Sequence, residues 1–265
     1  MTKNGPARVD AVIIAGAHNE GKLKDTSPAK WEALIEVGGK PLVQYSIDFL
    51  LAAKSIARIV MVGPKPELAG LLAGTDIEVI PPTGDMLDNV LVGCRRLAEL
   101  PGGKPGLVMV TPADLPLVTP GIVDGLVKVC LERGGDLFYP VASRETMESK
   151  FPGTKRTYGT LREGTFTGGN LFLVDAAVLE RVAPQARSLI EGRKDSLKMA
   201  RALGFSFVLR LLLGRLSVAA LERHIQKTFG CVGRAIFVPW PEIGIDIDKP
   251  EDVELVEAYL AKRGP

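Results

Sequence analysis

Gly106-Leu107-Val108-Met109-Val110-Thr111-Pro112-Ala113-Asp114-Leu115-Pro116 is an apolar run that ends on an aspartate held between two prolines. An apolar run bounded by turn residues reads as a strand buried on both faces, the kind found in parallel sheets. Far downstream, Gly244-Ile245-Asp246-Ile247-Asp248-Lys249-Pro250-Glu251-Asp252 repeats the arrangement, with a carboxylate where the chain turns into a helix. In an open α/β sheet, ligands bind in the crevice outside the carboxyl ends of the strands. Asp114 and Asp248, converging there, make a candidate Mg²⁺ site, and Mg²⁺ is the usual companion of a nucleoside triphosphate.

Working outward, strand-like runs alternate with helical patterns. Strands are expected over 9–15, 58–62, 77–80, 107–110, 136–141 and 167–174. Helices are expected over 41–54, around 67–72, over 86–100 and from Thr119-Pro120, where Thr caps and Pro fits the first turn. This alternation implies an α/β fold with a mostly parallel sheet covered on both faces. From 176 to 229 only helical periodicity is present, with Ser217 as a cap and Gly230 as a stop. Strand character returns over 234–238 and 243–247, and 250–262 is the last helix. The chain therefore reads as one domain over 1–265 with a helical insertion at 176–229, open either to cover a site or to form a homodimer contact.

Composition narrows the function classes. Apolar residues are 46% of the 265, enough for a full core. A net charge of +2 gives no global argument for nucleic acid or an anionic membrane. Cys94, Cys130 and Cys231 form no CxxC pair, and with two histidines a zinc site is not expected. Core thiols fit a reducing cytoplasm. Residues 1–10 are polar and lack a secretory pattern. The greasy stretch 205–213 is broken by Arg210 and falls short of the roughly 20 residues that span a bilayer. It reads as a buried helix, with a membrane-surface or lipid-substrate role as the other reading.

Each motif has a plain structural reading beside the functional one. Ala15-Gly16-Ala17-His18-Asn19-Glu20-Gly21-Lys22-Leu23-Lys24 follows the first strand, where small residues let backbone N–H groups approach phosphate. It is no P-loop, because Leu23 replaces the Mg²⁺-binding hydroxyl and Pro28 breaks the following helix. Gly38-Gly39-Lys40-Pro41 is either a connector or a segment that sets Lys40 beside a nucleotide. Pro81-Pro82-Thr83-Gly84-Asp85 is either a rigid turn capped by Asp85 or a place where Thr83 and Gly84 meet a base edge. Gly168-Gly169-Asn170 marks a bulge or a close approach to a ligand, with Asn170 able to bond hydroxyls. Asp114 suits an Asx turn, and Asp248 with Glu251 suits a capping box. Alone each is more readily structural; together, on two strand ends, they favour a site.

In order, four of these pieces resemble the MobA-like nucleotidyltransferases, a family that includes molybdenum-cofactor guanylyltransferases and sugar- or alcohol-phosphate nucleotidyltransferases. They are the Ala15-Gly16 loop, Gly39-Lys40-Pro41-Leu42, Pro112-Ala113-Asp114-Leu115-Pro116, and Asp246-Ile247-Asp248-Lys249-Pro250-Glu251-Asp252. The resemblance implies a Rossmann-like, three-layer α/β/α fold. It implies that the first loop binds the triphosphate through Ala15, Gly16 and Ala17, that Asp114 holds Mg²⁺ and that Asp248 is the second ligand. Thr83-Gly84 then lies where the base is read, and Gly169-Asn170 where the acceptor sits. The chain departs from the family in two places. Lys22 or Lys24 must serve for a first-loop Arg, and Trp31-Glu32 stands where the family has Pro-Lys.

The expected reaction is attack by an acceptor phosphate on the α-phosphorus of a nucleoside triphosphate, with loss of pyrophosphate. An anionic nucleophile needs alignment and charge neutralisation more than a base. Lys22 and Lys24 are expected to steady pyrophosphate. Lys150, Lys155, Arg156 and Arg162 are candidates for the acceptor phosphate. Two other classes remain open: a nucleotide-sugar glycosyltransferase using Asp246-Ile247-Asp248 as a D-x-D, and a non-catalytic nucleotide-binding protein.

Overall fold

A computed structural model describes residues 8–192 and 205–263. Strand β1 (Val9–Ile14) is the axis of the sheet. It pairs in parallel with β4 (Ile56–Val62) on one side and β6 (Leu107–Pro112) on the other. β5 (Glu78–Ile80) lies parallel beyond β4. Their apolar runs have no polar side because both faces are covered. Ala11 and Ile13 of β1 belong to one core with helices α1 (Leu42–Ala52) and α4 (Pro120–Arg133). Val12 belongs to the other, with α3 (Met86–Glu99) and α6 (Ala176–Gly192). This is the three-layer, mostly parallel α/β arrangement expected.

The far half of the sheet turns antiparallel. β10 (Phe172–Asp175) joins β6 to β7 (Leu137–Ser143), antiparallel to both. β9 (Gly164–Gly168) continues along the same edge of β7, β8 (Gly159–Leu161) pairs with β9, and β11 (Gly233–Phe237) lies parallel on the other edge of β7. A small hairpin, β2 (Glu36–Val37) and β3 (Lys40–Pro41), turns through Gly38 and Gly39, both at positive φ. Helices α2 (Lys65–Leu68), α5 (Arg144–Lys150), α7 (Phe205–Leu212), α8 (Val218–Phe229) and α9 (Pro250–Arg263) complete the described elements.

Two expectations about strands need correction. The strand expected over 167–174 is two strands, broken at Gly169-Asn170-Leu171. Gly169 is pressed on Ile243, where an added Cβ would stand 2.5 Å from Ile243 Cδ1. The N–H of Asn170 leaves the ladder to donate to the Ile243 carbonyl at 2.8 Å. Residues 243–247 are also not a strand. Pro241–Gly244 forms a 3₁₀ turn, and the chain beyond it runs extended without a ladder. The alternation is nevertheless real: Ile245 and Ile247 are buried, and Asp246 and Asp248 face the other way.

The expected helix caps at Asp85, Thr119 and Ser217 are present, and Gly230 ends α8 in the left-handed conformation. Helices make up the described parts of 176–229 apart from the turn at 213–217, and 193–204 lies outside the described residues. The stretch 205–213, expected to be a buried helix, is helical over Phe205–Leu212 but exposes Leu209, Leu212 and Leu213. The three cysteines are free and buried. Among the described residues, no helix is long and apolar enough to cross a membrane.

Candidate active site

The parallel strands β1, β4, β5 and β6 all end at one edge, and their following loops meet there. Gly16 rests on Pro82, where an added Cβ would stand 2.6 Å from Pro82 Cβ. This contact joins the Ala15-Gly16-Ala17 loop to the Pro81–Gly84 turn. The backbone N–H of Thr83 is held by Asn89 Oδ1 at 2.7 Å, while Gly84 takes φ 67°. The first loop then folds back on itself. The Glu32 N–H donates to the Ala17 carbonyl at 3.0 Å, and the Asn19 amide donates to the carbonyls of Ser27 and Ala29. Leu23, which spoiled the P-loop pattern, is the buried anchor of this excursion, 1% exposed.

A third core explains how distant segments reach one place. Leu23 packs in a cluster that includes Leu117 from the turn after β6, Met147 and Phe151 from α5 and its end, and Ile245, Ile247 and Val256. Burying residues such as Ile245 and Ile247 contributes about 1.5–3 kcal/mol each. Burial of the alternate residues leaves Asp246 and Asp248 facing the end of β6. Asp114 is close enough to both, and to Glu32, that all three carboxylates hold its proton on.

Burial is the largest cause of the shift at Asp114, followed by Asp246 and Asp248, and the carboxyl is pushed up to about 8. Its Oδ1 is shielded from solvent and has no partner among the described residues. Asp248 is raised by partial burial, Asp246 and Asp252, with Arg156 and Lys22 acting against the shift. Glu32 is raised by burial and then by Asp248. These carboxylates repel one another and lack cations enough to settle them. Among the described residues, no group of three or more His, Cys, Asp or Glu side chains is set to hold a metal.

The capping reading of Asp248 does not account for its side chain. Asp252 Oδ2 accepts from the N–H groups of Asp248 and Lys249 at 3.1 and 3.2 Å. The start of α9 is thus satisfied by Asp252 reaching back, and the Asp248 carboxylate remains at the mouth of the site. Beside it is a cavity of about 190 Å³ whose lining includes Lys22, Lys155, Arg156, Asp246 and Asp248.

The structure also separates the expected cations. Lys22 lines the cavity, whereas Lys24 is exposed without an ion-pair partner among the described residues. Lys40 is paired with Asp48 at 2.5 Å and lies over the Tyr45 ring, so its contacts lead away from the carboxylates. Lys150 is bound to Glu242, and the Arg162 Nε donates to the Arg215 carbonyl. Arg156 binds Asp246 at 2.5 Å and keeps a buried Nε without a partner among the described residues. Asn170 enters β10 beside the end of β6, since Phe172 stands opposite Val110, and its Nδ2 is likewise buried without a partner. Asp246, given a role in the sequence only as part of the alternative D-x-D, stands beside Asp114 and Arg156; its alternation with buried isoleucines was the available signal.

A glycine-bearing loop after the first strand, a Pro-Pro turn packed on it and a carboxylate cluster at one strand edge fit a nucleotide-handling α/β enzyme. The profile of the MobA-like NTP transferase domain matches residues 29–208, so the chain belongs to that family and is a nucleotidyltransferase. It is similar to a hypothetical transferase from Thermus thermophilus, 35% identical, covering 93% of this chain and 99% of that one at a TM-score of 0.78. The fold also matches CMP:2-keto-3-deoxy-manno-octonic acid synthetase complexed with CTP, 13% identical, covering 97% and 100%, TM-score 0.65. A nucleotidyl transferase from Methanothermobacter thermautotrophicus is 14% identical, covering 98% and 100%, TM-score 0.61. Comparison with curated proteins gave no match.

Proposed function

We propose that the chain transfers a nucleoside monophosphate from a nucleoside triphosphate to a phosphorylated small molecule, with Mg²⁺ and release of pyrophosphate. The observation that carries this reading is the convergence of Asp114, Asp248 and their neighbours with three buried, unpartnered polar atoms, Asp114 Oδ1, Arg156 Nε and Asn170 Nδ2. Buried polar groups left unpaired cost about 1–3 kcal/mol each, so three at one strand edge point to ligand atoms that complete them.

Mg²⁺ takes one or two carboxylates and fills its remaining positions with water and phosphate oxygens. Asp114 and Asp248 fit that requirement and would hold it. When bound it supplies charge neutralisation of phosphate oxygens. The backbone of Ala15, Gly16 and Ala17 approaches the triphosphate, and Lys22 meets the charge that develops on departing pyrophosphate. Arg156, with Lys155 beside it, orients the acceptor phosphate, and Asn170 bonds an acceptor hydroxyl. A phosphate oxygen of the acceptor forms the new bond to the α-phosphorus as the bond from that phosphorus to the β-phosphate bridging oxygen breaks. The electron pair leaves with pyrophosphate, and no side chain need remove a proton.

The test is pyrophosphate release from each of four ribonucleoside triphosphates against phosphorylated sugars, alcohols and pterins, with and without Mg²⁺. Release with one pairing only, dependent on Mg²⁺, is the expected result. Tight triphosphate binding without release from any pairing would favour the non-catalytic reading. Transfer from a nucleotide-sugar instead would favour the glycosyltransferase reading.

A further inference from the structure

Beyond the polar cavity lies a second one, of about 390 Å³, between β7, β9 and β11 on one side and α7 and α8 on the other. That volume falls in the roughly 300–1,000 Å³ range of ligand pockets. Its wall includes Leu137, Phe166, Leu211, Leu221, Ile225 and Phe237. The charged side chains on it, Glu222 and Arg234, are paired at 3.0 Å, and Glu222 also accepts from Arg133. The wall is in effect apolar, and an apolar cavity tends to stay dry and accept apolar ligands.

This cavity neighbours the polar one: the two share no lining residue, but consecutive residues and one close contact join their walls. Thr157 lines it, and the preceding Arg156 lines the polar cavity. Gly168 forms part of its wall, and the Tyr139 hydroxyl lies over that glycine, where an added Cβ would stand 2.1 Å away. At Gly244, an added Cβ would lie 3.6 Å from the Gly168 carbonyl and 3.7 Å from Arg156 Nη2, so the guanidinium and Gly168 are neighbours. Tyr139 and Phe237 on the wall are 48% and 44% exposed. Exposed apolar groups clustered in this way mark a binding surface.

We propose that the acceptor is an amphiphile, a phosphorylated alcohol whose anionic head meets Arg156 and Lys155 and whose aliphatic chain passes Tyr139 and Gly168 into the apolar cavity. The assignment of the chain to the acceptor rests on the nucleotidyltransfer reading, whereas the cavity's preference for an apolar chain does not. The occupant is a small molecule because Lys22, Lys155 and Arg156 of the neighbouring polar cavity complement a phosphate, while the apolar wall complements a chain.

Isothermal titration of the full chain with ethyl, butyl, hexyl and octyl phosphate reads the chain-length dependence without turnover. Affinity is expected to rise about fourfold for each methylene buried. Leu221→Trp, which fills the cavity, is expected to remove the dependence and weaken octyl phosphate at least tenfold. Ile225→Phe serves in its place if a thermal melt shows that Leu221→Trp does not fold. Equal affinity across the series, or an unchanged dependence in a folded filling variant, overturns the proposal. So does sedimentation showing a dimer that octyl phosphate leaves intact, with a flat titration, since a second copy would then cover this face. Parallel titration with the four Mg-ribonucleoside triphosphates separates the two readings. Triphosphate binding with a flat series removes only the amphiphile. A steep series without triphosphate binding removes the transfer reaction and leaves an alkyl phosphate site.

Discussion

Arg156 and Asp246 meet at 2.5 Å, each side chain 19% exposed, across 90 residues of sequence. The pair fixes the segment that carries Asp248, and it also decides how much cationic charge remains for an acceptor. Arg156→Gln leaves Asp246 half-buried beside two further carboxylates. We expect a loss of about 1–3 kcal/mol in stability, below the value for a fully buried pair because solvent still reaches it. The KM for a phosphorylated acceptor should rise at least tenfold while triphosphate affinity changes less. Equal loss of both affinities would assign Arg156 a purely structural role.

Asp114 makes the unliganded protein sensitive to pH. Its carboxyl, ordinarily near 3.8, is raised to about 8, so the folded state binds this proton more tightly than the unfolded chain does. Stability from this group is therefore complete below about 3.8 and declines as pH rises toward about 8. Thermal melts without metal should show that decline, and Asp114→Asn, which mimics the protonated form, should remove most of it. Added Mg²⁺ should raise Tm more at pH 8 than at pH 6, because ligation needs the ionised carboxylate. Turnover by Asp114→Asn should fall at least a hundredfold. An Asn variant with near wild-type turnover would dismiss Asp114 as a ligand.

We expect Asp248 and Asp252 to divide two tasks, metal binding and capping. Asp252→Ala removes the acceptor for two N–H groups at the start of α9 and should cost about 1 kcal/mol. Its Mg²⁺ requirement should not move. Asp248→Asn should leave the melting temperature nearly unchanged and raise the Mg²⁺ concentration for half-maximal pyrophosphate release about tenfold. The opposite pattern would restore Asp248 to capping alone.

The parts of this molecule that were legible in sequence are those that local chemistry dictates. β1 and β6 announce themselves because burial on both faces makes their runs almost wholly apolar, and caps such as Thr119 act within a single turn. Two segments were misread because a remote contact decides them. A continuous strand over 167–174 is consistent with its apolar residues, but Ile243 takes the space at Gly169 and draws Asn170 off the ladder. The alternation over 243–247 correctly places both aspartates on one side, yet no neighbouring strand supplies a ladder for it. The different surroundings of Arg156, Lys150 and Arg162 were equally out of reach, because each is set by a partner more than 50 residues away.

The packing of Gly16 on Pro82 gives the sharpest test of the nucleotide side. The two loops they belong to approach so closely that an added Cβ would lie 2.6 Å from Pro82 Cβ and 3.8 Å from the Val62 carbonyl. Backbone near β1 cannot yield cheaply, since the N–H of Ala15 is bonded to Val62 at 2.8 Å. Gly16→Ala should therefore part the first loop from the Pro81–Gly84 turn and raise the triphosphate Kd at least tenfold. Pro82→Gly removes the obstructing carbon. In the Gly16→Ala/Pro82→Gly pair most of the affinity should return, a coupling of about 1 kcal/mol or more by double-mutant cycle. Strict additivity of the two losses would mean that the contact between these loops does not shape the triphosphate site, and that Gly16 serves only to let the chain turn.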